Sequence, residues 1–449
     1  MLYNDFKELV MAAAKANRLE EYELYYQASE GISTEALQHD INAFSTSIQA
    51  GACFRCIHAG KIGYAATERF DADEAERIVE AAMQNAEATE SAESAWIHET
   101  GDAYEEIVPV TTSEPSAAQL RQLVLATQEA AYRRDARIVD GTQTAAAFRR
   151  STVAISNSKG LDLSHTADYS LLYCYPSVKE NDELYNGFEL KAGDFTELSA
   201  DAVANAAVDE AVSCIGADTV PTGSYPIVFS GKMTATLLAT FFSAFSAEAA
   251  QRGLSLFRGK EGEQVAAPSV SIVDDPFPQD SLLRIPFDSE GVATYRKKVV
   301  ENGTLTTLLH NLTTAHKAGV SSTGNGCKEN YASKVGISPY NFYLEAGGAG
   351  SKEALFENVR NGIYVTELNG LHAGADPSSG DFSLASAGFL ITDGKLGKPV
   401  KNFTVSGNFY ELLKQVALIG DDVEFMPIDG SSRYGAPAIV VNDVSVAGK

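Results

Sequence analysis

Residues 52–64 read Ala52-Cys53-Phe54-Arg55-Cys56-Ile57-His58-Ala59-Gly60-Lys61-Ile62-Gly63-Tyr64, and the way this stretch is divided decides the fold of the first half of the chain. As a metal knuckle, Cys53-x-x-Cys56-x-His58 would offer thiolates and an imidazole, the usual tetrahedral ligands of zinc. As a hairpin, Ala59-Gly60 turns the chain between two alternating flanks. The hairpin prevails. A period of two sends Cys53 to one face and Cys56 and His58 to the other, so the sulfurs cannot converge. No second Cys or His pair of matching spacing completes four ligands.

Working outward, residues 20–27 and 35–49 alternate as strands, and 6–18 read as a helix. After the hairpin, Asp71-Ala72-Asp73-Glu74 places an N-cap acid with a carboxylate three residues on. It opens a helix with Ala75, Ile78, Val79, Ala82 and Ala86 on one face, ending near Thr89. The polar stretch 90–115 is a connection, with Pro115 expected in the first turn of a helix running to about Arg134. Residues 137–189 alternate again, turning at 157–160, and 199–215 form a helix carrying Val203, Ala207, Val208, Ala211 and Cys214.

The main boundary falls at 218–223. Beyond it, Glu301-Asn302-Gly303, Thr392-Asp393-Gly394 and Val441-Asn442-Asp443 each separate strand-like flanks. The expected class is α+β: an N-terminal α/β region with an antiparallel sheet and helices, residues 1–220, divisible into 1–110 and 111–220, followed by a mainly-β C-terminal domain, 221–449.

The chain has 449 residues, long enough for a large core and more than one domain. Sixty acidic against thirty-five basic residues leave a net charge of −25, which repels phosphate backbones and argues against nucleic-acid binding. Asp5, Lys7 and Glu8 interrupt the start where a secretory signal would be apolar, so a cytoplasmic address is expected. The uncharged stretch 233–247 is shorter than the ~18 residues of a membrane span, and reads as a buried helix. Five scattered cysteines, an odd number, point to reduced thiols.

Among candidate catalytic groups, His310 and His316 stand six residues apart, a spacing that suits a shared metal site neither on a helix nor on a strand. His372 sits in a glycine-rich loop, where an imidazole can act as acid, base or ligand or have no task at all. No Gly-x-Ser-x-Gly elbow and no phosphate-binding loop with a following Lys-Ser/Thr occurs.

The second half carries a series of motifs: Ile285-Pro286-Phe287-Asp288-Ser289-Glu290-Gly291-Val292, Asn302-Gly303-Thr304-Leu305, Ser322-Thr323-Gly324-Asn325-Gly326, Ser379-Gly380-Asp381-Phe382, Ala387-Gly388-Phe389-Leu390-Ile391, Lys398-Pro399-Val400 and Val416-Ala417-Leu418-Ile419-Gly420-Asp421-Asp422. In order and spacing they resemble the C-terminal domain of the TldD/PmbA family of metallopeptidases, and the N-terminal hairpin and following helix fit the same family. The resemblance implies a metal helix bearing His-Glu-x-x-x-His, with a cysteine near the C-terminus as a further ligand. Two imidazoles and a thiolate would hold a zinc-like ion, and the glutamate would take the proton of its water.

Aligned through Arg252-Gly253-Leu254-Ser255-Leu256-Phe257, the corresponding positions here are Ala239, Thr240 and Ala244, and no cysteine lies beyond 421. The resemblance is therefore to the metal-free TldE (PmbA) type of subunit. It implies no cofactor in this chain, zinc in a TldD-like catalytic partner, and joint action on unfolded or short peptides. This chain would contribute part of a chamber and a groove, with Thr323, Gly324, Asn325, Gly326, Ser379, Gly380, Asp381 and Phe382 as groove candidates, or as plain turns. A homodimer is expected for the isolated chain. The rival expectations are a self-sufficient metallopeptidase with displaced ligands, drawing on His310, His316 or His372, and a regulatory protein-binding module matching the family's gyrase-modulator label.

Overall fold

The computed structural model describes residues 1–90, 96–107, 112–278, 284–427 and 432–449. Alternation in the first half produces two long strands, Glu21–Leu37 and Asp40–His58, paired from Glu21 opposite Ile57 to Leu37 opposite Asp40. The strand expected over 35–49 thus spans a turn. Gln38 and His39 make it with φ of 53° and 65°, although neither is a usual turn residue. It is held from outside: the His39 N–H donates to Gln128 Oε1 at 2.7 Å, and its ring stacks on Tyr132 at 4.1 Å. The hairpin at 52–64 forms as read, with Ala59 and Gly60 both left-handed and Lys61–Thr67 returning antiparallel.

These strands belong to an antiparallel sheet in the order Lys61–Thr67, Asp40–His58, Glu21–Leu37, Gln143–Asn157, Asp162–Tyr175, Glu189–Gly193. Its central pairing joins strands from either side of residue 110, so residues 1–110 and 111–220 share one sheet and each contributes a pair of helices to the same face. Helices Tyr3–Ala16 and Ala72–Ala88 bury their apolar faces with Tyr22, Leu24, Phe54 and Cys56. Helices Ala117–Arg134 and Ala200–Ser213 cover Ala36, Ala146 and Leu172. Asp71 caps Ala72–Ala88 by accepting from the Glu74 N–H at 2.9 Å, and all five residues expected on its inner face are buried. Pro115 does not occupy the first turn of the next helix: Ser116 is the cap, in a reciprocal box with Gln119, and Pro115 lies outside it. Residues 91–95 and 108–111 of the 90–115 connection lie outside the described residues.

Alternation sorts the opposite face of the sheet to a different task. Glu23, Tyr25, Cys53 and Arg55 turn away from the helices, and Tyr25 packs with Ile155, Leu161 and Phe287 against the C-terminal domain. That domain contains a barrel. Strands Lys395–Asn408, Asp381–Thr392, Gly362–Asn369, Gly223–Phe229 and Ile439–Ala447 pair in sequence, and the last pairs back to the first. A second sheet runs Thr304–Leu305, Lys297–Glu301, Ile272–Asp275, Asn341–Leu344, Arg433–Ala436, Glu424–Phe425. One apolar core joins both sheets and the helix between them.

The turns at 301–303 and 392–394 form with Asn302, Gly303, Asp393 and Gly394 in the left-handed region. Val441-Asn442-Asp443, read as a turn between strands, is instead an irregularity inside one strand: pairing slips between Val441 and Val444, with Asp443 at φ 56°. Among the described residues no helix is long and apolar enough to cross a membrane.

Candidate functional site

The segment 233–247, expected as one buried helix, is broken into three. Ser230 caps helix Gly231–Thr240, its Oγ accepting from the Met233 N–H at 3.2 Å. A 3₁₀ turn, Phe242–Phe245, follows, and Ser246 caps a new helix, Ala247–Gln251. The break lies where three aromatic rings enter the core. Phe241 stacks on Phe409, and Phe245 packs against Phe257, Phe342 and Phe409. Phe242 meets Phe342 edge-on. Rings at 241, 242 and 245 reach partners in different directions, which the tighter turn accommodates.

Ala239 and Ala244, the positions expected to match the two histidines of the metal motif, lie on opposite sides of this break. Ala244 is fully buried, and Ala239 is half-buried. The Thr240 hydroxyl donates to the carbonyl of Thr236 at 2.8 Å, a local bond back into its own helix. Two methyl groups and a committed hydroxyl provide no donor set for a zinc-like ion, so the residues present do not fit the metal of the catalytic motif. Among the described residues, no three or more His, Cys, Asp or Glu side chains are grouped to hold a metal.

The three histidines occupy separate settings. His310 is buried, which pulls its pKa below the ordinary imidazole value, and its backbone N–H donates to Thr323 Oγ1 at 2.6 Å. His316 stacks on Trp96 with ring centroids 4.0 Å apart, and His372 is exposed in the short helix Leu371–Gly374.

The two sets of groove candidates also diverge. Thr323, Asn325 and Gly326 are buried, and their polar groups are spent inside the fold. Asn325 Nδ2 donates to Asp274 Oδ2 at 2.7 Å and to the Ser338 carbonyl, while the Gly326 N–H donates to Asp288 Oδ2. Gly324 takes φ 68° and accepts from the Tyr340 hydroxyl. This segment forms an internal polar seam, in which the N–H groups of Gly324, Asn325 and Gly326 donate to Ser322 Oγ, the His310 carbonyl and Asp288 Oδ2. Ser379–Phe382 lies elsewhere, beside the end of helix Gly231–Thr240. Phe382 is buried 6.1 Å from the Phe241 ring, Asp381 is exposed, and Asn408 Nδ2 bridges the Ser379 carbonyl and Asp381 Oδ1.

Sequence reading did not single out the charged cluster where the two domains meet. Arg55 Nε donates to Glu23 Oε1 at 2.6 Å, and its Nη1 to Glu290 Oε1 at 3.4 Å; all three side chains are at least 95% buried. Glu290 Oε2 accepts from the Leu312 N–H, and Asp288 accepts from the N–H groups of Glu290, Val292 and Gly326. Burial and the neighbouring Glu290 push the Asp288 carboxyl up to about 8, against the pull of those backbone donors. Lys328 stands over the Tyr25 ring, and burial lowers its ammonium pKa. The available signal was Asp288-x-Glu290 within an apolar run, together with Glu23 and Arg55 at inward positions of alternating strands.

Fold and site define a class: a helix-covered antiparallel sheet joined to a barrel-containing domain, with two alanines and a threonine at the positions expected to match metal-motif residues. A model of the PmbA/TldA metallopeptidase C-terminal domain matches residues 222–448, one of domain 1 matches 22–86, and one of the central domain matches 111–215. The chain belongs to the TldD/PmbA metallopeptidase family. It is 28% identical over 305 residues to the metalloprotease PmbA homolog of Haemophilus influenzae, a match covering 68% of this chain and 65% of that one. Among solved structures, a proposed modulator of a DNA gyrase from Thermotoga maritima superposes with a TM-score of 0.90 and 30% identity, covering 99% of this chain and 100% of the other. TldE from Thermococcus kodakarensis shares the fold, with a TM-score of 0.89 and 24% identity over 98% and 99% of the two chains.

Proposed function

We propose that this chain is a metal-free, TldE/PmbA-like subunit of a two-subunit metallopeptidase acting on unfolded or short peptides. The zinc and the water it activates belong to a TldD-like partner, and this chain contributes wall and groove to the shared chamber. One observation carries the reading: Ala239, Thr240 and Ala244 occupy the ligand and base positions, and Ala244 is sealed into an aromatic core. Methyl groups offer a metal no lone pair and the Thr240 hydroxyl is turned back onto its own helix, so in this reading the metal and the water it polarises are supplied by another polypeptide.

The test is co-expression with a TldD-like subunit. The purified chain alone, a homodimer in this reading, is expected to hold no stoichiometric zinc and to leave peptides intact. Cleavage, sensitive to chelators, should arise only in the mixed complex. Stoichiometric metal with cleavage by the isolated chain would instead establish the self-sufficient hydrolase. The gyrase-modulator reading rests on the name of the Thermotoga maritima neighbour. The net charge of −25 directs any such role toward a protein partner rather than DNA.

A further inference from the structure

A cavity of about 600 Å³ opens between the N-terminal sheet and the C-terminal domain, within the usual size of small-ligand pockets. Three features give it a chemical character. Its charged lining is cationic, with Arg55, Arg252, Lys317 and Lys334 against Glu248 and Glu290, in a chain whose overall charge is −25. Its inner wall holds Arg55, 5% exposed, whose Nε and Nη1 are engaged with Glu23 and Glu290; Nη2 makes no hydrogen bond, and neither does Glu23 Oε2, the second oxygen of the carboxylate that Nε already holds. Trp96, stacked on His316, supplies an aromatic wall.

We propose that this interdomain cavity binds the carboxylate end of a short peptide. The inner donor and the outer charges divide the work. Arg55 is already balanced by two buried carboxylates, so its spare N–H suits a neutral acceptor such as a peptide carbonyl. Both Lys334 and Arg252 are exposed on the same cavity, but Arg252 stands 3.6 Å from Glu248, so Lys334 carries the attraction for a full negative charge. A free anion such as phosphate would satisfy the cations but leave the Trp96 wall unused, whereas a peptide with a terminal carboxylate offers a group to each. This assignment rests on the peptide-binding role proposed above and places one end of the substrate at a defined site.

Trp96 is the only tryptophan in the chain, so intrinsic fluorescence reports directly on this cavity. The experiment titrates the full-length chain with trialanine, with trialanine amide and with inorganic phosphate, and repeats each titration on Lys334→Glu, a change at an exposed side chain. A saturable emission change with trialanine is expected, weakened about tenfold or more by amidation. Lys334→Glu should weaken the acid by a similar factor and leave the response to the amide unchanged. Equal affinities for acid and amide, phosphate binding as tight as trialanine, or peptide binding by dialysis with no Trp96 response would each overturn the proposal. The subunit reading fails separately. Partner-dependent cleavage with equal acid and amide affinities keeps that reading and removes this site, whereas carboxylate-dependent binding without partner-dependent cleavage does the reverse.

Discussion

Phe241 lies face to face with Phe409, ring centroids 4.7 Å apart and planes within 10°, at the residue where helix Gly231–Thr240 ends. The stack anchors the break that separates Ala239 from Ala244. Replacing Phe241 with alanine removes a fully buried ring and should cost ~3–5 kcal/mol in urea unfolding. Thr240→Val, which loses only a bond back to its own helix, should cost no more than ~1 kcal/mol. Comparable losses for the two would mean that the aromatic anchor does not hold the break.

Rebuilding the catalytic motif should not rebuild the metal site. In Ala239→His/Thr240→Glu/Ala244→His, the second imidazole has to enter a position with no exposed surface, crowded by the rings around Phe245. Overpacking of this kind costs ~1–3 kcal/mol. Elemental analysis of the triple variant is expected to find well under one zinc per chain, with a lowered melting temperature. A full equivalent of bound zinc would contradict the geometry described for this helix.

The Glu23–Arg55–Glu290 triad ties the sheet to the C-terminal domain through groups that are nearly inaccessible to solvent. Arg55→Ala leaves two buried carboxylates without their cation and should destabilise the chain by ~3–5 kcal/mol. Removing the charges together, as Glu23→Gln/Arg55→Met/Glu290→Gln, should recover most of that loss, because the penalty comes from the uncompensated charge rather than from a missing attraction. Thermal melts of the two variants decide the point.

Asp288 gives stability a pH dependence of defined sign. Its carboxyl is raised in the folded protein from 3.8 to about 8, so the unfolded chain releases this proton first as pH rises. The contribution is complete below 3.8 and is lost progressively up to about 8, with a slope of at most ~1.4 kcal/mol per pH unit. Glu290→Gln removes the neighbouring negative charge, lowers the Asp288 pKa and should flatten the slope, while its amide oxygen can still accept from the Leu312 N–H. Urea unfolding across this pH range measures the slope in both proteins. An unchanged slope in Glu290→Gln would assign the pH dependence to other groups.

Much of the architecture was legible because local rules act over a few residues. The hairpin at 52–64 could be read from alternation around Ala59-Gly60, and Ala72–Ala88 from a capping acid followed by a single apolar face. The chemistry missing from 239, 240 and 244 was also visible, since the identity of a side chain limits what it can coordinate wherever it is placed. The turn at Gln38-His39 was not legible. Its residues lack turn chemistry, and its stabilising contacts come from Gln128 and Tyr132, about ninety positions away.

The amino-acid order alone therefore determined the strand faces of the hairpin, the start of Ala72–Ala88 and which side chains stand at 239, 240 and 244, all of which depend on neighbours or on composition. Only the tertiary structure decided that the helix breaks at Phe241, that 323–326 turn inward, and that Glu23, Arg55 and Glu290 meet. Those outcomes depend on which distant surfaces exclude water together. The Phe241–Phe409 stack and the Arg55–Glu290 pair join segments well over a hundred residues apart, and no periodicity along the chain encodes that distance.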